Sequence, residues 1–442
     1  MSVFHPASLQ RIFMISGLMC STLLALGCGG GSSSHSNDVG TTGVVTVIPP
    51  TTLNDNFWMA YQDGDGPWQV AEPRQGTFTF SVKDPAGRFG VVLVEETPDP
   101  SGGSVPSKVL GRIFQLTRQE VARIDLSNLS QFGTSNVTGN VVASVGTDVI
   151  SLQMRDSARI LPLGATSFAF NAPMGQADLM ALRQPNGGLP DRLFMVRNQT
   201  ITGPGNLPTL DFNQAWPLLL QAAHVTGIAP DETIATSVKW ITPTTSISLC
   251  SGGLSNWNPN LPFDIVVPAI QTPIQDPGDF YEVTVHVSNI MRKHRLAGGY
   301  SKTAAGMTIP LPPAVTDPSF GIIPGSPYYR PVFAWAPLSG TLRTQWLVQA
   351  SSSMKSWDVS ISAGWLAGNS TSNPTYPFPD FSTLSGWKNT WGISHGDWFQ
   401  WYYYNHGSTS PDPGWYTGGT RAYANGALFW SSWTTDLPVY AY

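Results

Sequence analysis

Few residues of this 442-residue chain combine the types and spacing that chemistry needs. His395-x-Asp397 and His406 could form an acid/base pair or hold a metal ion, but no third ligand of obvious kind accompanies them, so they read as turn residues. Asp63-Gly64-Asp65-Gly66 has the carboxylate spacing of part of a calcium loop. It lacks a third carboxylate, a closing glutamate and a flanking helix, and a structural turn is the simpler expectation. Ser251-Gly252-Gly253 does not supply the Gly-x-Ser-x-Gly arrangement of a nucleophile elbow. None of the 28 acidic residues stands in a distinctive setting. No catalytic residue, metal ligand or cofactor is therefore assigned. Paired carboxylates of glycoside cleavage meet at about 5–10 Å in space, whatever their sequence separation. An envelope or secreted hydrolase with unrecognised catalytic carboxylates is thus the alternative reading.

The anomaly is aromatic. Eleven of the 16 Trp lie beyond residue 330. Large rings bury about 150–250 Å² each, so a sandwich core accounts for many of them. Trp398 to Tyr404 is harder to place, because six of its seven residues are rings. In a strand, alternate residues point to opposite faces, so both faces there are aromatic. One face must meet something other than a one-sided core. Rings beside Asp, Asn and Gln are what stacking on sugars needs. Trp398, Trp401, Tyr403 and Trp415 are the candidate ligand-binding residues, with polysaccharide as the ligand.

A second chemical signal lies at the N-terminus. Arg11 precedes the apolar stretch Ile12 to Leu26, which has the length of a secretory core and is short for a membrane span. Leu23-Leu24-Ala25-Leu26-Gly27-Cys28 follows. It resembles the lipobox of bacterial lipoproteins, with its first two positions in swapped order. The resemblance implies cleavage after Gly27 and a diacylglycerol on Cys28, a membrane partner through that anchor, and a place in the cell envelope. Gly29 after the lipid position favours the outer membrane or cell surface by the same analogy. The run from Gly29 to Gly43 is a flexible polar tether. A plain signal peptide would instead release a soluble secreted protein.

The elements that carry these residues read as β throughout. The charged fraction is 12%, Gly and Pro number 44 and 37, and aromatic residues make up 11%. That composition suits tandem β-sandwich-like modules after a flexible tether, an all-β class, and does not suit a helical enzyme. Without Arg11 the mature chain holds 22 basic and 28 acidic residues, and no patch suits a phosphate backbone, so nucleic acid is excluded as a partner. Arg292-Lys293-His294-Arg295 reads as a solvated turn. Of the three Cys, Cys20 leaves with the signal and Cys28 carries lipid, which leaves Cys250 without a disulfide partner. Oligomeric state is not legible.

The expected divisions are 1–27 signal peptide, 28–43 tether, 44–130 N-terminal β module, 131–212 second module, 213–325 β module and 326–442 aromatic C-terminal β module. Thr77 to Val82 and Phe89 to Val94 read as a hairpin closed at Asp84-Pro85-Ala86-Gly87. Pro217 to Ile228 contains the best helix candidate, but no cap precedes it and an extended segment is favoured. In the second module, Val137 to Val142, Val149 to Met154, Thr166 to Phe170, Asn171-Ala172-Pro173-Met174-Gly175 and Ala177 to Arg183 follow one another in a characteristic order. This resembles the carboxypeptidase regulatory-like module, a prealbumin-type β-sandwich, with Asn171-Ala172-Pro173 in place of a Leu-Pro-Pro-Gly type turn. The resemblance implies a non-catalytic structural or binding module. The chain as a whole is expected to bind or to support structure at the envelope rather than to catalyse.

Overall fold

The computed structural model describes residues 43–49, 57–71, 77–97, 108–126, 133–144, 146–186, 188–254, 263–325, 327–350, 354–367, 373–409, 426–435 and 439–440. Residues 1–42, on which the expected signal peptide, Cys28 and nearly all of the expected tether fall, lie outside them, as does Trp415. Among the described residues the protein is all-β, with six sheets, one short α-helix, Ala363–Ala367, and two 3-10 turns, Thr272–Ile274 and Asn389–Trp391.

One sheet of thirteen strands organises the rest. From one edge it runs through Ser246–Leu254, Thr233–Ile241, Phe280–Ser288, Lys293–Ser301, Leu428–Thr435, Trp398–Ser408, Arg343–Ala350, Lys355–Ser362, Lys108–Thr117, Arg88–Thr97, Phe57–Asp63 and Gln69–Ala71, and the thirteenth strand, Val439–Tyr440, pairs with Trp398–Ser408 off this path. Its strands come from residues 44–130, 213–325 and 326–442 alike. The strand pairs are antiparallel except one: Lys355–Ser362 lies parallel to Lys108–Thr117.

Three smaller sheets cover parts of it. The strands Leu219–Thr226, Phe263–Ala269 and Thr308–Pro310 pack Ala223, Val225, Ile265 and Val267 against Trp240, Val283 and Val285. The strands Ser319–Ile323, Arg330–Ala334 and Thr375–Pro377 pack Phe333 and Tyr376 against Trp346, Trp357 and Tyr403 on the same face. At the other end, Val44–Ile48, Phe78–Ser81 and Arg123–Asp125 place Val45, Val47, Phe80 and Ile124 on the opposite face, against Met59, Val91, Leu93 and Phe114. The strands Phe57–Asp63, Arg88–Thr97 and Lys108–Thr117 are therefore buried on both sides. This is why Phe89 to Val94 is continuously apolar rather than alternating.

Residues 134–217 form a separate two-sheet sandwich around Val137, Leu152, Phe168, Phe170 and Leu179. Met180 and Leu182 on its outer side join the neighbouring core. The segment after Pro217 is extended, as the strand Leu219–Thr226.

Two sequence expectations are corrected. Phe78–Ser81 pairs with Val44–Ile48, and Arg88–Thr97 pairs with Phe57–Asp63 and Lys108–Thr117, so they form an arch between layers and not a hairpin. The turn is pinned by Asp84 Oδ1, which accepts from the amides of Ala86 (3.0 Å) and Arg88 (3.1 Å). Phe80 and Phe89 then meet edge-to-face across the core, centroids 5.8 Å apart. The basic run is also not one solvated turn. Only Arg292, at φ 56°, is at the exposed bend, while Arg295 is buried in the strand Lys293–Ser301. Arg295 Nε donates to Glu232 Oε1 at 2.8 Å, and its Nη1 to the Pro312 carbonyl at 2.8 Å. A buried charge is tolerable only with such partners.

Candidate functional site: the uncovered face of the large sheet

Between the N-terminal sheet and the far edge, no small sheet among the described residues covers the outer face of the large one. The strand Trp398–Ser408 alternates strictly in burial there. Phe399, Trp401, Tyr403 and Asn405 point inward. Trp398, Gln400, Tyr402, Tyr404 and His406 point to the outer face. The outer set is exposed at Trp398 (40% accessible) and half-buried at the other four.

This sorts the candidate residues. Trp401 (4% accessible) and Tyr403 (0%) are core rings. The indole of Trp346 lies 5.4 Å from Trp401 and 4.7 Å from Tyr403, centroid to centroid. Neither presents a ring face at the surface, and the outward positions of the strand are the even-numbered residues. Trp398 is on the surface, and Trp415 lies outside the described residues.

Cross-strand register assembles the outer face. Gln345, Tyr404, Trp433 and His294 form one row, and Arg343, His406, Ser431, Leu296 and His286 form the next. Tyr402 and Tyr404 lie 6.3 Å apart and 19° from parallel, and Tyr404 and His406 5.7 Å apart and 8° from parallel. The Trp433 indole lies within 6° of both the His286 and His294 rings, with centroids 5.1 Å away.

A chain of hydrogen bonds crosses the same face. His406 Nδ1 is 2.6 Å from Ser431 Oγ, and its Nε2 is 3.0 Å from Gln345 Oε1. Gln345 Nε2 donates to Asp358 Oδ2 at 2.8 Å. Ser360 Oγ donates to Asp358 Oδ1 at 3.2 Å and accepts from Arg343 Nη2 at 2.7 Å.

The other chemical hints do not converge. His406 joins the network just described. His395 instead lies beside the Tyr329 ring, and Asp397 accepts from the Ser394 amide at 2.7 Å and from Lys355 Nζ at 3.4 Å. Burial lowers the Lys355 pKa, against the pull of Asp397. In the Asp63–Gly66 turn, Asp63 Oδ1 accepts from the amides of Lys83 and Asp84, and Arg88 bridges Asp65 (2.7 Å) and Asp84 (3.0 Å). The hydrogen bond from Arg88 holds Asp84 below the usual carboxylate range. The carboxylates of that turn are thus engaged as structural acceptors. Among the described residues no group of three His, Cys, Asp or Glu is placed to hold a metal ion. Ser251 lies in the strand Ser246–Leu254. Burial pushes the Cys250 thiol up to about 11, which keeps it protonated and poorly nucleophilic. Asp279 is a carboxyl whose pKa burial raises, and it is held by Arg197 together with Asp178 and Asp276.

Sequence reasoning missed Ser431, Gln345, Asp358, His286, His294 and Trp433 as partners. Each is a polar or aromatic residue on the alternate positions of a strand, a signal that places it on a face but names no neighbour.

No family model matches the chain, and no curated protein matches it. Among solved structures, a DUF3823 family protein from Bacteroides ovatus is similar at a TM-score of 0.14 and 10% identity, over 38% of this chain and 96% of that one. A DUF3823 family protein from Parabacteroides merdae gives a TM-score of 0.12 and 12% identity, over 35% and 90%. The FN1–FN3 domains of chicken CNTN1 give 0.15 and 9%, over 62% and 84%. At these TM-scores the likenesses carry no functional inference, and the sandwich architecture rests on the sheets themselves.

Proposed function

We propose that this chain is an exported, lipid-anchored protein of the cell envelope, held at the outer membrane or cell surface by Cys28, with a binding or structural role. Its contact surface is the outer aromatic face of the C-terminal strands, and its ligand class is polysaccharide. The observation that carries the ligand reading is the exposed Trp398 on the same face as Tyr402 and Tyr404, with Gln400 between them. Rings supply apolar area for the C–H faces of sugars, and the amide of Gln400 suits hydroxyl groups. The sequence around Gly27-Cys28 supports the anchor, and the tether to Gly43 gives the folded body room above the headgroups. Two acyl chains hold a protein to a membrane stably, whereas one does so only marginally. The likeness of residues 131–212 to the carboxypeptidase regulatory-like module supports a non-catalytic supporting role for that sandwich.

The ligand reading is tested with the whole chain carrying Cys28→Ser, which keeps it in solution. Binding to a panel of insoluble polysaccharides should be little affected by salt and should weaken about tenfold in Trp398→Ala, as losing one stacked ring of about 1–1.5 kcal/mol implies. No retention on any polysaccharide overturns it. The anchor is tested separately: Cys28→Ser should move the protein from the membrane to the soluble fraction, and unchanged membrane retention removes lipidation.

A further inference from the structure

Ser431 and His406 sit directly opposite each other on neighbouring strands. Cross-strand register alone brings such side chains together. It does not dictate what lies beyond them. Asp358 is a carboxylate and can only accept, so Gln345 turns Nε2 toward it and presents Oε1 to His406. An oxygen acceptor at Nε2 requires a proton on that nitrogen. In the neutral imidazole Nδ1 is then the lone-pair nitrogen, and the hydroxyl 2.6 Å from it donates. Ser431 Oγ–H therefore points at a neutral imidazole whose tautomer is fixed by a third group, itself fixed by a carboxylate. That is the nucleophile–base–orienter order of acyl-transfer enzymes, here with an amide between imidazole and carboxylate. Ser431, His406 and Gln345 are half-buried, so the hydroxyl is not sealed in a core.

We propose that Ser431 and His406 are the nucleophile and general base of a hydrolytic site for small carboxylic esters, with Gln345 and Asp358 as positioning residues. Ser431 Oγ attacks the acyl carbon as its proton passes to His406 Nδ1. The ester's alkoxide leaves with that proton as the alcohol. Water then attacks the acyl-serine, gives its proton to His406 Nδ1, and the carboxylic acid departs as the proton returns to Ser431 Oγ.

The probes are a fluorophosphonate and p-nitrophenyl acetate, applied to the whole chain. Neither carries a sugar, so the result is independent of polysaccharide binding. The expected adduct maps to Ser431 and disappears in Ser431→Ala. His406→Gln should slow labelling and ester turnover about 100-fold or more, the usual worth of a general base. Gln345→Leu cuts the link to Asp358 and should move the midpoint of the pH–rate profile to lower pH, a readout that a merely structural role would leave in place. An adduct absent from Ser431, or wild-type labelling rates in a His406→Gln protein with an unchanged melting temperature, overturns the proposal. An unmoved midpoint removes Gln345 from it.

Discussion

His286 Nε2 lies 3.1 Å from Nδ1 of His294, edge to edge, with Trp433 nearly parallel to both rings. One ring must donate and the other accept, which two neutral imidazoles do and two imidazolium ions cannot. Burial pushes both pKa values down to about 4, with the charge of Glu232 opposing this at His286 and that of His286 adding to it at His294.

The pH consequence has a definite sign. An unfolded histidine takes up its proton near pH 6.5. Between that pH and about 4 the unfolded chain binds more protons than the folded one, so stability falls as pH falls through this window. Urea midpoints measured from pH 7.5 to 4 should decline, and the decline should flatten in the double variant His286→Asn/His294→Asn. An unchanged slope would show that the pair takes up protons in the folded protein as readily as in the unfolded chain.

Arg295 and Glu232 are both buried and bonded to one another. Removing one partner strands the other charge, at a cost of about 3–5 kcal/mol. Glu232→Gln and Arg295→Met should each lower stability on that scale. The double variant Arg295→Met/Glu232→Leu should recover most of it, measured by chemical denaturation as a thermodynamic cycle.

Two tryptophans three residues apart should respond very unequally. Trp401→Ala opens the core beside Trp346 and should cost about 3–5 kcal/mol. Trp398→Ala removes a ring that is 40% accessible and should cost far less, about 1 kcal/mol or under, while weakening polysaccharide binding. Equal losses of stability would contradict the two-sided strand.

Gly111 lies on the strand Lys108–Thr117 directly beneath the Trp357 ring, in the space a Cβ would occupy. Gly111→Ala should force the indole aside and cost about 1–3 kcal/mol. A calorimetric melting temperature equal to wild type would show that Trp357 moves freely, which its burial argues against.

Much of the strand content was legible in the sequence. Turn signals and alternation located the arms around Asp84, and the absence of a helix cap marked the extended segment after Pro217, because each pattern is local. Pairing was less so. Thr77 to Val82 looks the same whether its neighbour is beside it or across a core, and the difference is set by Val44–Ile48 claiming its edge. The odd and even rings of Trp398–Ser408 were likewise indistinguishable until Arg343–Ala350 and Ser319–Ile323 fixed which side is covered. The network from Ser431 to Asp358 spans residues from 343 to 431, so no local spacing could reveal it.

The parallel pairing of Lys355–Ser362 with Lys108–Thr117 bears on the order of assembly. The N-terminal half leaves the ribosome long before the strand that completes its sheet. Until then Lys108–Thr117 has a bare hydrogen-bonding edge, the kind of surface that recruits stray strands. Pairing this distant in sequence also makes folding slow. A chain truncated before residue 355 should therefore aggregate rather than fold as a smaller domain. A chaperone that delays collapse until synthesis ends should raise the yield of the whole protein more than that of its central sandwich.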